Sequence, residues 1–339
     1  MIIVVTGAAG FIGSNLVKAL NNLGYKDILA VDNLTNGIKC RNLADVDILD
    51  YISKEDFIAG ITNGDYDNQI DYIFHLGACS STVESDGKYM MKNNYEYSCL
   101  LLEYAQKNEV PMTYASSAAT YGANTIFVEE RVNENPLNVY GYSKHLFDQT
   151  VRRYYSSGLS APVVGLKYFN VYGFRESFKG RMASVVFQNF NQIHTTGKVK
   201  LFEGCQGYPN GGQMRDFISV EDVVRVNLFF FHNHNNSIEE VSGIFNCGTG
   251  HARSFNDLAL ATINSYHKLT NKPQVTLEQA VAQGILEYIE FPADLAGKYQ
   301  CFTQANTTNL LEAGYNDGFL SLEDGVDIYV NQLYNNMGK

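Results

Sequence analysis

The stretch Ile2-Ile3-Val4-Val5-Thr6-Gly7-Ala8-Ala9-Gly10-Phe11-Ile12-Gly13 decides the architecture. Its opening run is β-branched and has no polar break, which reads as a strand buried on both faces, as in a parallel sheet. The glycines permit a tight turn and a close backbone approach. Helical periodicity over Ser14 to Leu23 then places a helix N-terminus at the turn, where a pyrophosphate is favoured. A lone Gly-x-x-Gly-x-x-Gly is weak on its own. Here it sits between a strand and a helix. A second strand-like run, Ile28-Leu29-Ala30-Val31, ends at Asp32, about 20 residues on, the position of a ribose reader. The residues predict a dinucleotide site whose turn presents Gly7, Gly10, Phe11, Ile12 and Gly13 to the cofactor.

Which dinucleotide it is stays open on these residues. Asp32 alone favours NAD, because a carboxylate accepts from a free ribose 2′-hydroxyl and repels a 2′-phosphate. Asn33 follows it, however, and Lys39 and Arg41 lie in the next loop, where a cation can neutralise a 2′-phosphate.

Composition bounds the rest. With 339 residues, 45% of them hydrophobic, the chain can bury one large core or two unequal domains. A net charge of −11 argues against nucleic acid or an anionic membrane as the main partner, so any phosphate site must be local. The chain enters its first strand at once, with no charged leader, and no apolar run spans a bilayer. Six scattered cysteines have no paired metal spacing, so we expect reduced thiols, no metal and a cytoplasmic location.

Strands and helices alternate through the first half. Tyr72-Ile73-Phe74-His75 leads into the small-residue turn Leu76-Gly77-Ala78-Cys79-Ser80, and a helix is predicted from about Gly87 to Lys107. Pro111 to Ala115 leads up to Ser116-Ser117, and Pro162 to Tyr168 forms another apolar run. This order predicts a doubly wound parallel sheet of Rossmann type, with ligands at the carboxyl ends of its strands, where Ser117 and Asn170 fall. After Tyr172 the pattern weakens, which predicts a smaller, irregular α/β part. The expected division is 1–171 with 215–248 for the cofactor, and 172–214 with 249–339 for the substrate.

Tyr140 and Lys144, in Val139-Tyr140-Gly141-Tyr142-Ser143-Lys144, project four apart from one helix face. An ammonium there is expected to lower the phenol's pKa, so that it can take a proton from a sugar hydroxyl while the carbon gives up hydride. Tyr-x-x-x-Lys is common by itself. It gains weight from the glycine turn and from Ser117 upstream.

Together these motifs resemble the extended short-chain dehydrogenase/reductase superfamily. They are joined in the expected order by Asp47-x-x-Asp50, Asn170-Val171-Tyr172-Gly173, Arg215-Asp216-Phe217-Ile218-x-Val220-x-Asp222 and Asn246-Cys247-Gly248-Thr249-Gly250. Phe174 stands where the superfamily usually has Pro. Within it the chain is most similar to the ADP-glyceromanno-heptose 6-epimerases, which serve lipopolysaccharide inner-core heptose supply. That likeness rests on Gly77 to Thr82, Asp86 to Met91, Ala115 to Gly122, Pro136 to Lys144, Leu201-Phe202-Glu203-Gly204 and Lys298 to Ala305.

The resemblance implies an NADP enzyme and a homo-oligomer, often a pentamer, with Lys39 at the 2′-phosphate. It implies further cofactor contacts from Lys54, Leu76 to Ser80, Asn93, Lys144, Val171 and Lys179. It implies Tyr140 and Lys179 as the two proton-transfer groups, Ser117 as a hydrogen bond to the reacting oxygen, and Lys144 at the nicotinamide ribose. The substrate pocket implied is Asn170, Arg181, Gln188, Phe202, Glu203, Gly204, Cys205, Arg215 and Tyr299, with Arg215 suited to forked contact with the ADP pyrophosphate. Leu76 replaces an acidic residue and Gln188 a histidine. Residues 206–214 and 269–284 look like inserted surface loops.

The chemistry narrows further. Dehydratases of the superfamily carry an Asp-Glu pair directly after the catalytic Ser or Thr; here Ala118-Ala119 follow Ser117, which disfavours elimination. Inversion needs a proton donor or acceptor for each orientation, and a lysine whose pKa falls on burial suits the second role. Two other readings are an NAD-dependent UDP-hexose 4-epimerase, which needs no Lys179, and a non-catalytic NADP-binding protein, which needs no intact Ser117, Tyr140 and Lys144.

Overall fold

The computed structural model describes residues 1–292 and 300–337. Elements follow in chain order. The first half holds β1 (Ile2–Thr6), α1 (Phe11–Asn22), β2 (Ile28–Asp32), β3 (Asp50–Ser53), α2 (Lys54–Asn63) and β4 (Ile70–His75). It continues with α3 (Gly87–Met90), α4 (Tyr97–Lys107), β5 (Met112–Ser117), α5 (Val139–Ser157) and β6 (Val163–Tyr168). Next come β7 (Asn170–Tyr172), α6 (Val185–Thr196), β8 (Val199–Phe202), β9 (Met214–Ser219), α7 (Val220–His232), α8 (Ile238–Val241) and β10 (Gly243–Cys247). The chain closes with β11 (Ala252–Ser254), α9 (Phe255–Leu269), α10 (Leu277–Ala282), β12 (Leu286–Ile289), α11 (Thr308–Glu312) and α12 (Leu322–Asn335).

Two compact units result. The first comprises Met1–Tyr168, Val223–Cys247 and Thr307–Asn316; the second comprises Phe169–Asp222, Gly248–Asn306 and Asp317–Lys339. The first is a seven-stranded sheet in the order β10-β6-β5-β4-β1-β2-β3. Every pairing in it is parallel. This is the Rossmann arrangement expected. The order reverses between β1 and β4, so the turns after those strands flank the crevice where such sheets bind ligands. The β-branched strands bury both faces: Val4, Leu29, Val31 and Ile73 belong to one core, and Ile3, Val5, Ala30 and Phe74 to another.

Local chemistry sets the helix ends that matter. Asn138 caps α5, its side chain accepting from the Gly141 amide at 2.8 Å, so the Tyr140–Lys144 turn starts from a fixed end. The helix expected over 87–107 is present but contains a π-helical turn at Met91–Glu96. Its extra residue turns Asn93 and Asn94 to where they make the contacts described below.

The second unit is more regular than the sequence pattern suggests. It has a three-stranded sheet (β11-β9-β7), a two-stranded sheet (β12-β8), and a core where α6, α9 and α12 pack through Phe190, Ile263 and Val330. The division also differs from expectation. Residues 215–222 belong with the second unit, because β9 pairs with β7 and β11, while α11 packs on β10 in the first. Neither inserted segment is purely surface. Gln213 is buried, and Val275 and Ala280 join the second core. Among the described residues no helix is long and apolar enough to cross a membrane, no cluster of His, Cys, Asp and Glu could hold a metal, and all six cysteines are free.

Candidate active site

The turn after β1 is built for close approach. Gly7 has φ +70°, and a Cβ there would stand 2.8 Å from Gly77 Cα; at Gly13 it would stand 2.1 Å from the Gly7 carbonyl oxygen. Only glycine fits both places. The Gly10 amide donates to that same carbonyl at 2.9 Å, Phe11 is buried, and Ile12 is half-buried at the start of α1. A cradle of this shape, opening on a helix N-terminus, fits a dinucleotide pyrophosphate.

Asp32 ends β2 and is buried. Its Oδ2 accepts from the Ala9 amide at 3.0 Å and its Oδ1 from the Asn33 amide at 2.7 Å. Lys39 pairs with the same Oδ1 and also donates to Asn33 Oδ1 at 3.2 Å. The two residues that compete in the sequence reading are therefore an ion pair, and the local net charge is close to zero.

The turn after β4 is tied down on both sides. The Leu76 amide donates to the Thr6 carbonyl at 3.1 Å and the Gly77 amide to Thr6 Oγ1 at 3.0 Å. Cys79 exchanges two hydrogen bonds with Asn94, at 2.8 and 2.9 Å, and Asn94 Nδ2 also reaches Ser143 Oγ at 3.1 Å. Ala78 and Ser80 ride on this clamp. Lys54 and Asn93, both expected at the cofactor, hydrogen-bond each other.

Two residues here were not singled out from sequence. Asn94 is buried and ties the Cys79 turn to α5; its only local sign is an amide in a helix that must be buried. His75 is also buried, its Nδ1 at 2.7 Å from Thr6 Oγ1 and its Nε2 at 2.7 Å from Ser98 Oγ. Since Ser98 Oγ gives its proton to the Asn94 carbonyl, it accepts from His75 Nε2–H, and Nδ1 accepts from Thr6 Oγ1. Burial, aided by the nearby Lys144 charge, holds His75 down to about 3, so it stays neutral.

Ser117 closes β5. Its Oγ accepts from the Ala119 amide at 3.1 Å, and its side chain lies beside the Tyr140 phenol. One expectation is corrected. Burial pushes the Tyr140 phenol above its ordinary value, with the neighbouring Ser117 opposing, and Lys144 does not bring it down. Lys144 is itself buried, which lowers it to about 8, and the charge it feels most is that of Asp148 on the next turn of α5.

The second unit carries the remaining candidates. Asn170 opens β7 and accepts from Thr303 Oγ1 at 3.4 Å, and Val171 pairs in register with Ile218. Lys179 lies on a short 3-10 turn, Ser177–Met182, with exposed Arg181 beside it. Burial lowers the Lys179 pKa, and Glu176 opposes that shift. Glu176 is fully buried and anchors the turn through Ser184 N and Oγ, both at 2.6 Å, and Tyr329 OH at 2.9 Å. Gln188, which stands where a histidine was expected, donates to the Gly180 carbonyl at 2.8 Å and so holds the Lys179 turn.

Arg215 is buried, donates to the Met214 carbonyl at 2.9 Å, and lies over the Phe255 ring. Asp216 gathers the Thr249, Gly250 and Ala305 amides at 2.7–2.9 Å, which explains why Gly248-Thr249-Gly250 accompanies Arg215-Asp216. Beyond Phe202 at the end of β8, the Glu203 carbonyl accepts from Gln213, Gly204 donates to Asn210, and Cys205 Sγ lies 3.4 Å from Cys301 Sγ. Tyr299 lies outside the described residues.

Residues 3–248 match the NAD dependent epimerase/dehydratase family. The chain belongs to this family. One relative of this epimerase/dehydratase-family chain is an ADP-L-glycero-D-manno-heptose-6-epimerase of Thiobacillus denitrificans, 53% identical over 97% of this chain and 98% of the relative. Among solved structures it is similar to the Helicobacter pylori ADP-L-glycero-D-manno-heptose-6-epimerase, with a TM-score of 0.73 and 28% identity over 98% of this chain and 96% of the other. It is also similar to a Thermotoga maritima UDP-glucose 4-epimerase with UDP-glucose, with a TM-score of 0.76 and 27% identity over 99% of each chain.

Proposed function

We propose that this protein is an ADP-glyceromanno-heptose 6-epimerase that inverts C6 of the sugar, D-glycero to L-glycero, with tightly bound NADP. The observation that carries the reading is the 53% identity to a heptose epimerase along almost the whole of both chains. Ser117 beside Tyr140 in a cofactor fold supports it.

The glycine cradle suits the pyrophosphate, and the Lys39–Asp32 pair supports NADP, because a neutralised carboxylate no longer repels a 2′-phosphate. Lys54, Asn93 and the Leu76–Ser80 turn complete the cofactor pocket, joined by Val171 and Lys179. A nicotinamide held there would supply the redox chemistry, removal of hydride from C6 and its return to the opposite face. The chain's own residues handle the oxygen. Ser117 holds it, Tyr140 takes or returns its proton in one orientation, and Lys179 does so in the other. Lys144 holds the nicotinamide ribose. Asn170, Arg181, Phe202 to Cys205, Arg215 and Tyr299 form the nucleotide-sugar pocket, with Gln188 acting through the Lys179 turn. The first unit serves the cofactor and the second the substrate. The enzyme works in the cytoplasm as a homo-oligomer, pentameric by its resemblance, and supplies heptose for lipopolysaccharide inner core.

The test is to incubate the purified protein with ADP-D-glycero-D-manno-heptose, resolve the C6 epimers, and identify the nicotinamide released on denaturation. Interconversion of epimers without net reduction of cofactor is expected. Turnover of UDP-hexoses without any heptose inversion overturns the reading in favour of a 4-epimerase.

A further inference from the structure

One carboxylate that the reaction does not use lies at the centre of the first unit. Asp148 stands on α5 one turn beyond Lys144 and two turns beyond Tyr140, and it is fully buried. Its Oδ1 accepts from Tyr114 OH at 2.9 Å, and its Oδ2 accepts from Ser116 Oγ at 2.7 Å and from Lys167 Nζ at 2.6 Å. Tyr114 and Ser116 belong to β5 and Lys167 to β6, so a single carboxylate joins two neighbouring strands to the helix that carries Tyr140 and Lys144.

The links do not stop at the carboxylate. Lys167, also fully buried, donates to Thr120 Oγ1 at 2.8 Å and pairs with Glu134 at 2.9 Å. Thr120 Oγ1 in turn donates to the Ser117 carbonyl at 2.8 Å. Ser117 is therefore approached along two routes from Asp148: through the side chain of its neighbour Ser116, and through Lys167 and Thr120 to its own carbonyl. Its hydroxyl meets Tyr140 on the helix that bears Asp148. The loop closes on itself.

We propose that Asp148 is a positioning residue for the Ser117–Tyr140–Lys144 site, with Lys167 and Thr120 as its relay, holding the end of β5 in register with α5. The assignment rests on the active-site reading above. The physical case is one of cost. A buried carboxylate and ammonium are each expensive to desolvate and are stable only when every acceptor and donor is met. Here the partners come from separate elements, so a shift of β5 against α5 breaks several charge-assisted bonds at once. Such a network specifies one geometry rather than adding much stability.

Asp148 acts on Lys144 as well, through space. The charged and titratable groups facing this region are His75 from β4, Tyr114 from β5 and Lys167 from β6, with Tyr121 and Glu134 from the intervening loops and Arg152 and Tyr155 from α5. Burial lowers Lys144 to about 8, and the Asp148 charge holds it up against that. Removing the charge moves the Lys144 titration to lower pH.

The test uses Asp148→Asn and Thr120→Val in the full-length protein with its own bound cofactor. Thr120→Val leaves every charge in place and removes the hydroxyl that joins Lys167 to the Ser117 carbonyl. For both we expect kcat to fall by about 10- to 100-fold, the scale of a small misplacement of catalytic groups, with KM and bound cofactor within about twofold. For Asp148→Asn the fall in kcat at alkaline pH should begin at lower pH, while Thr120→Val should keep the wild-type pH limit. A kcat within about twofold of wild type in Thr120→Val overturns the proposal, whether or not Asp148→Asn folds. So does an Asp148→Asn loss that tracks only the folded fraction with an unmoved pH profile. Inactive wild-type protein refutes the underlying active-site reading instead, so the two failures are told apart.

Discussion

Replacing Lys39 with alanine tests how the chain chooses its cofactor. Lys39 and Asp32 form an ion pair with side chains 14% and 5% exposed, and Asn33 shares the ammonium at 3.2 Å. Wild-type protein presents a near-neutral pocket to the ribose 2′ position. Lys39→Ala leaves Asp32 with its two amide donors but no cation, so the pocket gains one net negative charge. Two unit charges about 6 Å apart at an effective dielectric of about 20 interact by about 3 kcal/mol, and exposure reduces this. The lost charge-assisted bond to phosphate is worth about 1.5–3 kcal/mol. The lost bond alone lowers NADP affinity by roughly 10- to 150-fold, and whatever repulsion solvent leaves unscreened adds to it. NAD has only a hydroxyl at that place, which a freed Asp32 accepts, so its affinity should hold or rise slightly. The assay is fluorescence titration of cofactor-stripped protein with each dinucleotide. Equal weakening of both shows that Lys39 is a bystander and that Asp32 alone reads the ribose.

Gly13→Ala should abolish stable cofactor retention, because its Cβ would lie 2.1 Å from the Gly7 carbonyl and must push the turn open by about 1 Å; nicotinamide co-purifying at the wild-type ratio refutes this. Lys179→Met should lower epimerisation by at least about 10²-fold while leaving cofactor bound, and an unchanged rate would assign both proton transfers to Tyr140. His75 is neutral in the folded protein, held at about 3 against 6.5 for a free histidine, so the unfolded chain binds more protons between those values. Stability contributed at neutral pH is therefore lost as pH falls below about 6.5, by about 2 kcal/mol at pH 5. Urea denaturation should show a shallower dependence between pH 7.5 and pH 5 in His75→Gln than in wild type; parallel curves sink the assignment.

The Rossmann half was legible because its signals are local. A β-branched run before Gly7 can only be a doubly buried strand, the glycines answer to backbone clashes within a few residues, and Tyr140 and Lys144 share a helix face by spacing alone. Asp32 and Lys39 could be named as competitors from sequence, but only the fold shows them paired. The second unit was read as irregular because β7 and β11 are only three residues long, too short to establish a period. Their order comes from pairing with β9, across tens of residues. For the same reason no pattern pointed to His75, whose partner Thr6 is 69 residues away, or to Asn94, which joins Cys79 to Ser143. Nor did any pattern point to Asp148, whose three donors come from two other strands, and Gln188 was named without any sign that its amide supports a carbonyl eight residues earlier. The Tyr140 phenol illustrates the limit most directly. Helical spacing places a cation nearby, but burial sets the sign of its pKa shift. The sequence by itself determined which elements form and which chemical groups they carry. Only the tertiary structure decided which buried polar groups meet, because desolvation and hydrogen-bond partnership depend on what other segments bring to the same place.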